Sequence, residues 1–314
     1  MRSLLLAAAL LPPLVLAQQS LSRRSRCALL DRVLAAAAQP ANCTAALAAQ
    51  RLDRFIGPRW TQAEESCLLY LLGRLSRGPL AEQGPFLGAS TIAIASGLRD
   101  SEDALRTFTT SDAFPTPAAA TASGLRRNYP HYWRQYREPA YTGIWPFRRL
   151  KRDGAVTMNI DGKVMGTMPL ATYMGNVAPY SSGPNGQMGT LVSNLKTARV
   201  DRLVDVITAS RIPRGIAFEV VWSDSTHNVR EIEANVPALL EPAIKQPKRC
   251  VTLALHDINN EWARGQIVAV NATAARQGER RRAVERVVRR SGCEIVRRAA
   301  AGLIYAVTLY CSKG

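Results

Sequence analysis

The acid–base candidates of this chain are its histidines and the carboxylates near them. His227 lies four residues before Glu231. His256 directly precedes Asp257 and lies five residues before Glu261. A histidine beside a carboxylate can act as general acid or base on a phosphodiester, with arginines stabilising the anion. This pattern indicates a secreted basic hydrolase of nuclease type, although a histidine at a hairpin tip is commonly a plain surface residue. No G-x-S-x-G or H-E-x-x-H motif is present.

Basic clusters form candidate processing sites. Residues 149–152 read R-L-K-R and fit the R-x-K-R pattern of furin- and kexin-type proteases, whose acidic pockets bind several basic side chains. A dibasic pair at 248–249 directly precedes Cys250. Such pairs also arise by chance in an arginine-rich chain, but these lie at boundaries that periodicity and cysteine positions suggest. The predicted processing residues are Arg149, Lys151, Arg152, Lys248 and Arg249.

Basic residues also suggest binding surfaces. In residues 129–152 aromatic rings alternate with arginine and lysine, which suits stacking on bases beside phosphates or seating at a lipid interface. A net charge of +17 favours a polyanionic surface or host target as partner. The same features arise when rings pack against a core and when GC-rich coding enriches arginine and alanine. The candidate binding residues are Tyr132, Trp133, Arg134, Arg286 and Arg290.

The six cysteines predict a disulfide framework. Three lie near each end, so full pairing requires at least one bridge between the two ends. No C-x-x-C pair exists and the three histidines are far apart, so neither a metal site nor a cofactor is indicated. The cysteines are Cys27, Cys43, Cys67, Cys250, Cys293 and Cys311.

The first residues have the pattern of a cleavable signal peptide over Met1–Ala17, with Arg2 before an apolar run. Sequons at Asn42 and Asn271 are compatible with glycosylation. The chain is therefore expected to be a secreted, extracellular glycoprotein.

No other stretch approaches the roughly 20 apolar residues of a membrane span. The best candidates, Phe86–Leu98 and Leu303–Cys311, are too short. No transmembrane segment is predicted, and the oligomeric state stays open.

Helical patterns fill residues 27–78, where a capping box at residues 61–64 opens an apolar helix. Residues 84–97 are small and apolar, and the stretch from there to Gly124 resembles a loop or linker. Ala155–Ile160 and Lys163–Met168 flank Asp161-Gly162, a strong hairpin signal.

A glycine-rich loop at residues 183–189 lacks a phosphate-binding spacing and favours a plain turn before a helix. Ile216–Trp222 and Asn228–Val236 form a candidate strand pair. After Cys250 the pattern predicts a strand, helices over Asn260–Ala275 and Glu279–Arg290, and a hairpin around Gly302.

These elements predict an α+β protein in which an N-terminal disulfide-stapled helical unit precedes antiparallel-hairpin α/β sandwich units. The predicted organisation is a signal peptide (1–17), a helical unit (18–110), a linker with the aromatic-basic segment (111–152), an α+β unit (153–249) and a β-α-β-β unit (250–314).

This layout of signal peptide, dibasic sites at Lys151-Arg152 and Lys248-Arg249, and bridged pieces resembles the fungal killer preprotoxins. The resemblance implies a processed toxin or effector that acts by binding rather than by catalysis. Two alternatives stay open, namely the nuclease-like hydrolase and a non-catalytic extracellular structural protein.

Overall fold

The computed structural model describes residues 27–56, 61–101, 106–112, 147–150, 155–160, 163–169, 186–209, 211–224, 229–246, 249–259, 263–275 and 278–312. The predicted signal peptide, Met1–Ala17, lies outside these residues. No helix within the described ranges is both long and apolar enough to span a bilayer.

Within the described residues, eleven strands form two sheets. They are β1 Leu80–Gln83, β2 Phe108–Asp112, β3 Phe147–Leu150, β4 Ala155–Ile160, β5 Lys163–Pro169, β6 Val204–Thr208, β7 Val220–Ser223, β8 Arg249–Leu255, β9 Ala263–Ala269, β10 Cys293–Gly302 and β11 Ile304–Cys311.

Eight helices surround or connect them. They are α1 Leu29–Ala37, α2 Pro40–Ala49, α3 Ala63–Leu75, α4 Ala89–Arg99, α5 Gly186–Thr197, α6 Val229–Ile244, α7 Ala272–Ala275 and α8 Glu279–Arg290 among the described residues.

The main sheet has eight strands in the order β6-β2-β1-β7-β8-β11-β10-β9. The first five are parallel to one another, and β11 runs antiparallel to both β8 and β10. In chain order, β2 lies next to β1 and β6 lies next to β2, whereas β7 lies on the other side of β1. The order therefore reverses between β1 and β7, which is the switch point of a doubly wound α/β sheet.

Helices cover both faces of this sheet, because neighbouring strand residues point to opposite sides. On one face, α1, α3, α4 and α5 pack with sheet residues such as Leu80 and Trp222. On the other face, α6 and α8 pack against residues such as Val221 and Leu253. The core is thus split into two apolar layers by a central sheet.

The predicted fold class is wrong. Strands from residues 80–112 share one sheet with strands from residues 249–311, so these segments do not form separate helical and hairpin-sandwich units. The error arose because β1 and β2 are only four and five residues long. Residues 80–83 were assigned to no element, and residues 108–112 lie in the stretch interpreted as loop or linker. Parallel strands separated by helices leave only short apolar runs in the sequence.

Three local assignments also change. Of the expected strand Asn228–Val236, the described residues 229–236 belong to α6, where Ile232, Val236 and Leu239 recur at helical spacing on the buried face. Of the expected helix Asn260–Ala275, the described residues 263–275 form β9 and the short α7. Short windows of alternating residues do not distinguish these cases.

Other local predictions are confirmed. Asp161-Gly162 separates β4 from β5, which pair antiparallel in a three-stranded sheet with β3. Gly302 lies at the turn between β10 and β11. The capping box of α3 exists one residue later than predicted, with Gln62 as the cap and Glu65 as its partner.

The six cysteines form three disulfides. Cys27–Cys250 joins the two ends of the chain across 223 residues. The other two are local, Cys43–Cys67 between α2 and α3 and Cys293–Cys311 between β10 and β11.

Candidate functional site

The carboxyl ends of the parallel strands form one edge of the sheet, where ligands of doubly wound sheets bind. Backbone hydrogen bonds extend the ladder past the strand ends: Gly84 N donates to Ser111 O (3.0 Å), Asp224 N to Gln83 O (3.0 Å) and His256 N to Ser223 O (3.1 Å). The residues just after β1, β7 and β8 therefore lie side by side at the switch point.

The turn between β1 and α4 is built around the glycine at its end. Gly88 caps α4 with a φ of 98°, in the left-handed region that favours glycine. A Cβ at this position would also overlap the side chain of Leu191 in α5. The backbone can thus pass sharply from strand to helix at the centre of the crevice.

Glu82 fixes this turn from within the sheet. Its side chain is fully buried and accepts hydrogen bonds from Ser90 Oγ (2.5 Å), Thr91 Oγ1 (2.6 Å) and Thr110 Oγ1 (2.8 Å). The first two donors belong to the first turn of α4 and the third to β2. One carboxyl group therefore binds together the strand, the helix and the next strand.

Burial raises the pKa of Glu82 from 4.5 to about 7, since desolvation disfavours the charged form. The three hydroxyl donors act in the opposite direction, and the nearby charge of Asp224 adds to the rise. Glu82 thus titrates close to neutral pH.

A second carboxylate, Asp112, ends β2. Gln187 Nε2 donates to Asp112 Oδ2 (3.1 Å) and to Phe86 O (3.3 Å). Gln187 belongs to the glycine-rich loop of the sequence, which here begins α5 and lies against the β1–α4 turn. The loop therefore positions an acidic group at the crevice.

The third feature is a cluster of Asp224, His256 and Asp257 at the ends of β7 and β8. The Nδ1 atom of His256 lies 3.0 Å from Asp224 Oδ1 and 3.6 Å from Asp257 Oδ1. The imidazole is buried and meets the ring of Trp222 edge-on, with 5.8 Å between centroids. The aspartates are partly exposed, so the cluster opens to the crevice.

Burial lowers the pKa of His256, but Asp224 and Asp257 outweigh it and the pKa lies well above its ordinary value. The imidazole is thus held as a cation between carboxylates. A divalent cation could take the place of its Nδ1 proton.

Asp224, His256 and Asp257 each offer one possible metal-ligand atom, and these three atoms lie within 4.8 Å of one another. Two carboxylates and an imidazole suit a divalent metal ion such as Mn²⁺ or Mg²⁺. The three side chains fit such an ion because they converge and are backed by a buried ring.

A shallow cleft lies beside the crevice, between Gln83 and α6. Its walls are both apolar and polar. The lining residues are Gln83, Arg211, Ile212, Arg214, Asn235, Ala238, Leu239 and Glu241.

Of the predicted catalytic residues, the structure places His256 and its neighbour Asp257 in the cluster. Glu231 lies in the first turn of α6, half-buried. His227 and Glu261 fall outside the described residues, so the predicted His227–Glu231 pair remains a prediction.

The predicted binding and processing residues lie elsewhere or are not described. Arg286 and Arg290 are exposed on α8, and Arg286 Nη2 lies 3.2 Å from Glu233 Oε1. Arg149 is in β3 and Arg249 begins β8. Outside the described residues lie Tyr132, Trp133, Arg134, Lys151, Arg152 and Lys248.

The two sequon asparagines lie at helices. Asn42 is in α2, where its amide donates to Ala36 O (2.8 Å). Asn271 is exposed before α7, and its Oδ1 accepts from Ala274 N (2.6 Å). Their glycosylation, like the processing, remains a prediction.

Sequence reasoning missed Glu82, Asp112 and Asp224. The available signal was that each lies at or just after the end of a short apolar or β-branched run. An acidic residue at the end of several parallel strands is the signature of a crevice site. The short runs around β1 and β2 were not recognised as strands, so this signal was lost.

The fold and site together define a doubly wound α/β protein with an acidic crevice. No family model matches the sequence, and no curated protein matches it. Among solved structures the chain is similar to cofactor-bound Rv0187 from MTB, at 16% identity and a TM-score of 0.39, over 88% of this chain and 91% of that one.

Two further similar structures are O-methyltransferases. TomG from Streptomyces achromogenes, in complex with SAM, is 14% identical with a TM-score of 0.38, over 86% of this chain and 89% of that one. An enzyme from Bacillus cereus, in complex with SAH, is 12% identical with a TM-score of 0.33, over 85% and 90%.

The interpretation as a killer preprotoxin is wrong, and so is the toxin or effector function derived from it. One doubly wound sheet contains strands from both ends of the chain, in place of the separable bridged pieces. The two alternatives, a nuclease-like hydrolase and an extracellular structural protein, do not fit either.

Proposed function

We propose that this chain is a methyltransferase that binds S-adenosylmethionine at the switch-point crevice and methylates an oxygen nucleophile beside Asp224, His256 and Asp257. In the transfer, the bond from sulfur to the methyl carbon breaks, its electron pair returns to sulfur, and the acceptor oxygen forms the new bond. The acceptor's proton passes to a carboxylate of the cluster. The observation that carries the proposal is the acidic crevice itself, in a chain of net charge +17.

Carboxyl groups from two strand ends favour a cationic ligand over a diphosphate. Asp112 ends β2 and Asp224 follows β7 at the crevice edge, and a sulfonium nucleoside bears a positive charge where a dinucleotide bears two negative ones. This charge pattern supports S-adenosylmethionine over NAD or FAD.

The β1–α4 turn supports the same choice. Dinucleotide sites carry glycine at the third position of G-x-G-x-x-G so that the pyrophosphate can approach the backbone. Here that position, counted from Gly84, is Phe86, with a φ of 49°. A side chain at this position occupies the space that a pyrophosphate needs.

Asp112 and the cleft beside Gln83 suit the two parts of a nucleoside. An acidic residue at the end of the second strand is placed to accept hydrogen bonds from ribose hydroxyls. The cleft between Gln83 and α6 lies at the end of β1, next to the strand end that carries Asp112, and there we place the base.

A divalent cation bound by Asp224, His256 and Asp257 would lower the pKa of a coordinated acceptor hydroxyl. The chain's own contribution is to hold these three groups in place and to exclude water from the buried side of the imidazole, which is 8% exposed.

The test is to incubate the protein with S-adenosylmethionine, Mg²⁺ or Mn²⁺ and a panel of catechols, phenols and sugars, and to measure S-adenosylhomocysteine by mass spectrometry. We expect product with at least one acceptor, which is lost on Asp224→Asn or with EDTA. Cation-independent turnover would overturn the cation's role. No turnover together with no binding of S-adenosylmethionine would overturn the whole proposal.

We also propose that the protein acts outside the reducing cytosol. Three disulfides among the described residues support this, because such bonds persist in oxidising compartments. Intact-mass analysis of secreted protein, reduced and non-reduced, would show the bridges and any cut at residue 152. A product retained in the cell with free thiols would contradict it.

A further inference from the structure

Glu65 is a buried carboxylate that the proposed reaction does not use. It lies in the first turn of α3 and is fully buried. Its Oε2 accepts from Gln62 N (2.8 Å), and its Oε1 accepts from Leu303 N (2.7 Å) in the β10–β11 turn. Two backbone donors from distant parts of the chain therefore fix the orientation of this carboxylate.

The β10–β11 turn is shaped around Glu65. Gly302 has a φ of 53°, and a Cβ there would overlap the Glu65 carboxylate. Asn259 binds the same turn, with Nδ2 donating to Gly302 O (2.7 Å) and Leu303 O accepting from Asn259 N (3.0 Å). Because Asn259 follows Asp257 by two residues, the turn connects Glu65 to the segment that carries the candidate cluster.

Glu65 also lies close to the imidazole of His256. Glu65 Oε2 lies 3.5 Å from His256 Nε2, on the side of the ring opposite to Asp224. Within the described part of the chain, Nε2 is buried and makes no hydrogen bond of ordinary length. Glu65 Oε2 is thus the acceptor atom placed to face a proton on Nε2.

We propose that Glu65 is a positioning residue that keeps the proton of His256 on Nε2, so that Nδ1 is the atom presented to a cation. This inference rests on the cation site of the proposed function. Histidines that bind metals commonly donate their other ring N–H to a carboxylate, which fixes the tautomer and the ring orientation. Here that carboxylate comes from α3, the helix that the Cys43–Cys67 disulfide ties to α2.

The first test uses the wild-type protein. The chain has three histidines, so nitrogen-15 labelling of the imidazoles gives a sparse spectrum. We expect a slowly exchanging N–H at Nε2 of His256, distinguished from Nδ1–H by its couplings to both ring carbon protons and assigned to His256 by its loss in His256→Gln. Absence of this signal would overturn the proposal. The test does not require a folded variant of Glu65.

The second test compares Glu65→Gln with Glu64→Gln. Glu64 is also buried and lies one position earlier, about 100° around the helix. We expect Glu65→Gln to speed exchange of the Nε2 proton and to weaken Mn²⁺ binding about tenfold or more, as read from the paramagnetic resonance of free Mn²⁺. Glu64→Gln should change neither.

Two outcomes separate this inference from the proposed function. Unchanged exchange and Mn²⁺ affinity in Glu65→Gln would overturn the role of Glu65 while the cation site stands. A wild-type protein that binds no cation, but whose imidazole spectrum responds to Glu65→Gln, would overturn the cation site and support the positioning role.

Discussion

Asp224 Oδ1 lies 3.0 Å from His256 Nδ1, although 32 residues separate them in the chain. The two residues follow neighbouring parallel strands whose last residues, Ser223 and Leu255, are in register. Their side chains therefore point to the same face of the sheet, toward α3 and α4. The site follows from strand register, and the sequence distance between its members is unimportant.

Removing one aspartate of the cluster should weaken cation binding. We expect Asp224→Asn to lower Mn²⁺ affinity about 100-fold, because a neutral amide replaces a charged ligand. Calorimetric titration with Mn²⁺ measures this. Asp205→Asn, on the exposed side of β6, is the matched control and should bind as wild type. Equal affinity in both variants would place the ion elsewhere.

Stability should depend on pH through Glu82. Its pKa is 4.5 in the unfolded chain and about 7 when folded, so the folded state holds the proton more tightly. Protonated Glu82 therefore stabilises the folded state fully below pH 4.5, and this contribution to the free energy of unfolding is lost as the pH rises through about 7. Its size is on the order of 3 kcal/mol.

Glu82→Gln removes this titration while keeping a polar group that the three hydroxyls can contact. Urea unfolding between about pH 5 and pH 8 should therefore show a steeper loss of stability with rising pH in the wild type than in the variant. Parallel pH profiles would contradict the assignment of a buried, protonatable carboxyl.

The long-range disulfide should stabilise the fold more than the local one. Cys27–Cys250 closes 223 residues, whereas Cys43–Cys67 closes 24. In the chain-entropy account the longer loop contributes about 2 kcal/mol more. Unfolding of the double serine variants in urea gives both values, and a larger loss for the Cys43–Cys67 pair would reverse the expected order.

Part of this fold was accessible from the sequence. The Asp161-Gly162 turn, the α3 capping box and the hairpin around Gly302 depend on residues close in the chain, and they were predicted near their positions. His256 was selected because histidine is rare and chemically distinctive. Such local signals do not depend on how the chain folds globally.

The sheet order and most of the site were not accessible. β1, β2 and β7 are four or five residues long, and their pairing is parallel and non-local. Glu65 reaches His256 only because α3 packs against the edge where β10 turns into β11. A carboxylate 191 residues away from its imidazole carries no sequence signal of that contact.

The central claim is that the crevice binds a sulfonium nucleoside, and calorimetric titration of the purified protein tests it most directly. We expect S-adenosylmethionine and S-adenosylhomocysteine to bind, and Asp112→Asn to weaken both about tenfold or more, since the carboxylate's charged hydrogen bonds to ribose are lost. NAD should not bind. Binding of NAD in place of the two nucleosides, or no binding of either nucleoside to a folded wild-type protein, would contradict the account.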